Sequence, residues 1–148
     1  MAYTSSQIVQ AVPSNNVTAY VAYTPSYTNI TLGNGTNNFR YAQIGFLVHV
    51  YGQLTFGSTT TMGSGPKISL PVTAKLGNNF YTNNISYVDT STTDQYLGAG
   101  YLDSTTTVLF KLPQVTGNFL FHANVGATQP FTFATTDIIN FNFVYEAA

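Results

Sequence analysis

The chain has 148 residues, of which 6% are charged and 44% hydrophobic, with a formal net charge of −1 and no cysteine. Ordinary globular domains carry about 25% charged residues, so this surface is built from Thr, Asn, Ser, Gln and Gly; the pairing of low charge with high hydrophobicity excludes a disordered chain. The missing cysteines exclude disulfides and thiolate zinc sites, and the four scattered cations, Arg40, Lys67, Lys75 and Lys111, offer no basic stripe for nucleic acid.

The length suits one domain with a core that needs no covalent staple. No apolar run reaches the roughly 18 residues that a membrane helix requires. Met1 to Gln7 lacks the basic start and apolar stretch of a signal peptide, so the expectation is synthesis and folding in a cytoplasm.

In chain order, residues 1–14 read as an N-terminal arm and 15–148 as a β-sandwich domain. Gln7, Ile8, Val9 and Val12 are the arm's candidate contact residues. Val17, Ala19, Val21 and Tyr23 alternate as a first strand bounded by Pro13 and Pro25, because proline cannot donate to a ladder. Thr31 to Thr36 is a turn supplied with glycines. Ile44, Phe46, Val48, Val50, Leu54 and Phe56 share one phase, predicting a long strand bent at Gly45 or Gly52. The opposite phase holds Leu47, His49 and Tyr51, which we take as the candidate subunit interface.

Ser58 to Pro66 reads as a polar loop and Lys67 to Leu70 as a short strand. Asn78 to Leu97 is expected to hold one strand with flanking loops. Thr106 to Leu112 and Asn118 to His122 are strands separated by a turn over Pro113 to Gly117. The last strand is the clearest: Ile139, Phe141, Phe143 and Tyr145 recur every second residue against Asn140, Asn142 and Glu146. Seven to nine short strands without helical periodicity predict an all-β, single-domain sandwich of jelly-roll-like form.

Chemistry is scarce. The acids are Asp89, Asp94, Asp103, Asp137 and Glu146, and the histidines His49 and His122. Asp89 and Asp94 bracket one loop, which suits either a turn or a cation site. His49 and His122 lack metal-ligand spacing; no serine lies in a nucleophile elbow. The expectation is no enzyme, no cofactor and no metal. Asn16, Asn29, Asn34 and Asn84 open glycosylation sequons, which an Asn- and Thr-rich chain without a signal peptide produces by chance. Tyr81, Tyr87, Tyr96 and Tyr101, set among asparagines, are a candidate surface contact for a glycan or protein, or ordinary strand packing.

Two blocks, Leu54-Thr-Phe-Gly-Ser-Thr-Thr-Thr-Met-Gly-Ser-Gly-Pro-Lys-Ile-Ser-Leu-Pro-Val-Thr-Ala74 and Pro130-Phe-Thr-Phe-Ala-Thr-Thr-Asp137 with the ending Tyr145-Glu-Ala-Ala148, resemble a module of virion surface proteins of tailed bacteriophages, tail-fibre and tail-tip proteins among them. The likeness extends from Thr28 to Ala148. In that family an aromatic, often Trp, stands where this chain has Phe133, and a Gly-Asp pair where it has Thr136-Asp137. The resemblance implies a homotrimeric β-sandwich exposed on a phage particle, and it transfers no catalytic residue. The expectation is a virion protein assembled in the host cytoplasm, a capsid decoration protein partnered by itself and by other virion proteins such as the major capsid protein. The alternative is a tail-fibre tip or baseplate adhesin for a host surface glycan.

Overall fold

A computed structural model describes residues 19–75 and 80–148. The arm residues Gln7, Ile8, Val9 and Val12, and Val17, lie outside the described residues. The elements are β1 (Val21–Tyr23), β2 (Tyr27–Thr31), β3 (Thr36–Ile44), β4 (Leu47–Thr55), β5 (Thr61–Ser69), β6 (Phe80–Asp89), β7 (Asp94–Leu102), β8 (Thr107–Thr116), β9 (Phe119–Asn124) and β10 (Ile138–Glu146). There is no helix among the described residues. All pairs are antiparallel, in the order β1-β3-β4-β10-β6-β7-β8-β5-β2 with β9 added to β8.

This sheet curls over on itself into the expected all-β sandwich. Phe110 of β8 meets Phe141 of β10 across the core at 5.1 Å between ring centroids. At the ends of the strand order, Asn37 Nδ2 of β3 donates to Tyr27 Oη of β2 at 2.8 Å and draws the two margins together. β10 lies between β4 and β6, and β5 between β8 and β2, so neighbours in space are far apart in sequence, as in jelly-roll connectivity.

β10 behaves as its alternation predicts. Ile139, Phe141, Phe143 and Tyr145 are buried, whereas Asn142, Val144 and Glu146 are exposed. They join Phe39, Val48, Val50, Leu54, Ile68, Ile85, Tyr87, Val108 and Phe110 in one core. Burying each such side chain is worth about 1.5–3 kcal/mol relative to leaving it in water.

Several expectations are corrected. The long strand from Ile44 to Phe56 is instead the second arm of a hairpin: Ile44 pairs with Leu47, and Gly45, at φ +59°, turns the chain with Phe46. The two-residue reversal pairs Ile44 with Leu47, so the even-numbered phase that faces the core in β4 faces outward in β3, and Ile44 and Phe46 end up exposed rather than in the core. The expected polar loop from Ser58 to Pro66 is largely β5, with only Gly57 to Thr60 left as the turn, where Thr60 N donates to Gly57 O. β5 bends at a bulge opposite Thr28 and Ile30, where Asn29 and Gly65 both take positive φ. Asn78 to Leu97 holds parts of two strands, because β6 and β7 form a hairpin with Asp89 opposite Asp94. Pro113 belongs to β8, opposite His122, and the turn shrinks to Gly117 and Asn118. Proline is tolerated there because β7 pairs with β8 only as far as Lys111.

Among the described residues one charged side chain is buried, Asp137, at 2% exposure. Its Oδ1 accepts from Thr90 N (3.0 Å) and Thr90 Oγ1 (3.2 Å), and its Oδ2 from Ala134 N (2.7 Å). Its carbonyl accepts from Phe56 N at 2.8 Å, and Thr136 N donates to Phe56 O at 2.8 Å. The Asp137 carboxylate thus ties the β6–β7 turn to the loop leading into β10, and the main chain of Thr136 and Asp137 ties that loop to Phe56 at the end of β4. Thr136 sits at φ +76°, a conformation glycine adopts without strain. This is the position where the family resemblance would place glycine.

Asp137→Ala should destabilise the chain by about 2–4 kcal/mol, because buried amides lose a charged acceptor. Thr136→Gly should be neutral or stabilising by up to about 1 kcal/mol as left-handed strain is relieved, offset by the lost hydroxyl contact with Thr90 at 2.7 Å. Urea midpoints of both variants check this; equal losses would show that the loop, not the carboxylate, holds the register.

Candidate functional site

Strand pairing decides which residues share the outer face. Leu47, His49, Tyr51 and Gln53 of β4 lie opposite Glu146, Val144, Asn142 and Asn140 of β10 on one side, and opposite Ile44, Ala42, Arg40 and Asn38 of β3 on the other. The candidate interface of Leu47, His49 and Tyr51 is therefore one continuous ridge. Leu47 is 53% exposed and Tyr51 39%, while His49 is half-buried.

The face is divided along its length. At the β3–β4 turn it is apolar: Ile44, Phe46, Leu47 and Val144 are all exposed. In the middle, His49 is held on both nitrogens, Nδ1 at 2.5 Å from Tyr20 Oη and Nε2 at 2.9 Å from Asn142 Oδ1. A neutral imidazole with its proton on Nε2 satisfies both, donating to the amide oxygen and accepting from the phenol. Tyr20 also sets its ring edge-on against Tyr51, with centroids 4.9 Å apart. Beyond Tyr51 the face becomes a ladder of amides. Gln53 Nε2 donates to Asn140 Oδ1 at 3.0 Å, and Asn140 Nδ2 to Ser86 Oγ at 3.2 Å. A shallow groove of about 420 Å³ opens here, lined by Asn38, Tyr51, Gln53, Asn140 and Asn142. The sequence reading missed the amide half of this face; the signal was present in the polar phase of β10.

The four candidate tyrosines do not form one surface. Tyr87 is fully buried in the core, with its hydroxyl donating to Lys111 O at 3.3 Å, so it is corrected from a surface contact to a packing residue. Tyr96 is half-buried and packs its ring against Phe131 at 5.4 Å. Tyr101 lies beneath the Lys111 ammonium, 5.4 Å from the ring centroid. Tyr81 is opposite Tyr101 in the β6–β7 register.

The acids are mostly occupied. Lys67 pairs with Asp103 at 2.5 Å and Lys75 with Glu146 at 2.6 Å. Asp89 Oδ1 accepts from Ser91 Oγ (2.6 Å) and Ser91 N (2.9 Å), a turn closed by its own side chain. The Ser91 hydroxyl, with backbone amides of the same turn, holds the Asp89 carboxyl below its ordinary range. Among the described residues no group of three or more His, Asp or Glu side chains is placed to hold a metal ion. No protein-family model matches the chain, and no curated protein or solved structure matches it either. The face must therefore be read from its own residues.

Burial pushes the phenols of Tyr23, Tyr87 and Tyr145 far above the ordinary tyrosine value, and that of Tyr27 upward. The fold thus retains protons that the unfolded chain releases near pH 10. Stability is full below that pH and falls as pH rises above it, since the unfolded state then binds fewer protons than the folded one. Denaturation midpoints should fall from about pH 9.5 upward, and phenolate absorbance should show part of the 11 tyrosines ionising only on unfolding. A single-step titration of all of them in the folded chain would contradict this burial.

Proposed function

We propose that the chain is a non-enzymatic structural protein exposed on a tailed-phage virion, a homotrimeric capsid decoration protein that docks on other virion proteins such as the major capsid protein. The observation that carries this reading is the outer face of β3, β4 and β10. It is a sheet surface with an apolar end at Ile44, Leu47 and Val144, and its charges are confined to Arg40 and Glu146. Glu146 is already paired with Lys75. Such a face loses little hydration when covered, because few ions must be stripped of water. The way the acids are engaged also supports a structural role, since Asp137, Asp103, Glu146 and Asp89 each serve local structure.

A second reading, an adhesin for a host surface glycan, is favoured by the amide groove. Asn38, Gln53, Asn140 and Asn142 can both donate and accept, and Tyr51 offers a ring beside them. These are the groups that neutral, hydroxyl-rich ligands need.

The two readings separate in one experiment. The purified chain is mixed with particles of its source virus assembled without it, and separately with host cells and their isolated surface polysaccharide. Sedimentation with particles but not with cells is expected. Binding to cells or polysaccharide alone would replace the first reading by the second. Deleting Met1 to Ser14 should leave a folded protein that no longer sediments with particles; retained binding would remove the arm from the contact. Glycan hydrolysis abolished by Asp89→Asn or Asp94→Asn would overturn the non-enzymatic reading.

A further inference from the structure

β8 parts from its neighbour. β7 pairs with β8 only from Val108 to Lys111, whereas β9 follows β8 to the tip, Thr116 opposite Phe119. The outer part of this hairpin is therefore a two-stranded finger with no further strand beside it among the described residues, tied to the neighbouring loop where Gln114 Nε2 donates to Gln129 Oε1 at 3.2 Å. Register assigns its side chains to two faces. Pro113, Val115, Leu120 and His122 share one, and Gln114, Thr116, Phe119 and Phe121 share the other. Each face carries apolar side chains open to solvent: Val115 is 71% exposed, Leu120 70%, Phe119 78% and Phe121 43%. Leu97 of β7, also exposed, falls on the same side as Val115, two residues beyond the Ala99–Lys111 pair.

A two-stranded ribbon is marginal in water without something packed on it. These four side chains expose on the order of 450 Å² within a few residues, taking about 150–250 Å² for a whole aromatic side chain and somewhat less for an aliphatic one. That lies within the range of the largest apolar patch found on a whole monomer, and it supplies roughly half of what each partner contributes to a standard interface.

We propose that this finger joins copies of the chain, three fingers packing about a common axis with the Val115–Leu120 face of each against the Phe119–Phe121 face of the next. The inference rests on the homotrimer in the function proposed above and locates its contact. Two observations select a second copy as the occupant. From Leu112 to Asn124 the finger carries no Asp, Glu, Lys or Arg, so identical fingers do not repel and a charged partner gains nothing. Its two faces are different surfaces, and a contact between unlike faces is heterologous, which forms a ring where the rotation closes and not a two-fold pair. A partner covering one face would leave the other in water; a ring covers both.

The chain's lack of cysteine makes the test direct. Light scattering should give the full chain three times its 16.0 kDa mass. The double variant Phe119→Ser, Leu120→Ser should fall three-fold in mass with its circular dichroism retained, while Leu47→Asp should stay trimeric. Asn118→Cys at the fingertip should give covalent dimers on oxidation, visible on a denaturing gel; Thr105→Cys, in the turn at the other end of β8, should not. A monomeric full chain would overturn both the homotrimer and the finger contact. A trimer that survives the double variant, dissociates with Leu47→Asp, or shows no Asn118→Cys cross-link would overturn the finger contact alone. If the double variant fails to fold, the cross-link decides.

Discussion

The register of β10 is the constraint from which the rest of the sandwich follows, and it is set by the buried carboxylate of Asp137. β10 pairs with β4 along its whole length and with β6 along its first half, so it links both halves of the sheet. A slip of one residue would turn Ile139, Phe141, Phe143 and Tyr145 out to water. Asp137 stands immediately before the strand, and its bonds to Thr90 and Ala134, with the Phe56 main-chain bonds, leave no room for such a slip. A hydrogen bond to a charged group is worth about 1.5–3 kcal/mol and an unpaired buried carboxylate costs more than that. Alternative registers are therefore disfavoured from two sides, by exposed aromatics and by an orphaned charge.

With so few charges, the chain protects its sheet margins by geometry. β1 is three residues long, and β2 is short and bulged between Thr28 and Ile30. Short and bulged edges are poor templates for a further strand. β9 has neither protection. It pairs with β8 alone, runs without interruption through Phe119, Leu120 and Phe121, and carries apolar groups on both faces. In a charge-rich protein a lysine at such an edge would deter pairing; here none is present. The contrast among three margins of one sheet separates an edge meant to stay in solution from an edge meant to be covered.

Much of this fold was legible because period two is a strong signal wherever one face is core and the other polar. β10 satisfies that condition: its alternation from Ile139 to Tyr145 is as read, although the strand expected from Phe131 to the C-terminus spans only Ile138 to Glu146, and the turn expected over Thr31 to Thr36 is closed more tightly by the Gly35 N to Leu32 O bond. The failures have physical causes. Gly45-Phe46 reverses the chain and exchanges the two phases, but Ile44 and Phe46 are apolar like Val48 and Val50, so the run from Ile44 to Phe56 hid the hairpin. β5 is Thr, Gly and Ser over its first half apart from the buried Met62, and it is held as a strand by pairing with β2 that local propensity does not encode. At the candidate face, Leu47, His49 and Tyr51 were readable as the phase opposite the core, but the amides of β10 that complete it come from across a pairing of distant segments. Tyr87 was misread because a tyrosine among asparagines looks like surface until its strand is known to lie between β10 and β7. The finger had a sequence signature in the unbroken Phe119-Leu-Phe121, which suits a strand apolar on both faces.

The position of the two apolar regions bears on how they could act together. β8 runs antiparallel to β7, so the fingertip points to the end of the sandwich where the β6–β7 turn and the start of β10 lie. Ile44, Phe46 and Leu47 are at the opposite end, beside the last residue of β10. Neither region can substitute for the other in a single contact. With fingers joined about an axis at one end, the β3–β4 turns of all copies are held at the other, facing away from the junction and free to meet a second body. Individual contacts of that size are weak, since an exposed Leu, Ile and Phe amount to a few kcal/mol at most. Presented together by one rigid assembly, they would release only when all let go, and effective concentration can raise such binding by about 10²–10⁴. On the proposed function, a small, nearly uncharged sandwich would gain strong attachment in this way without a charged anchor.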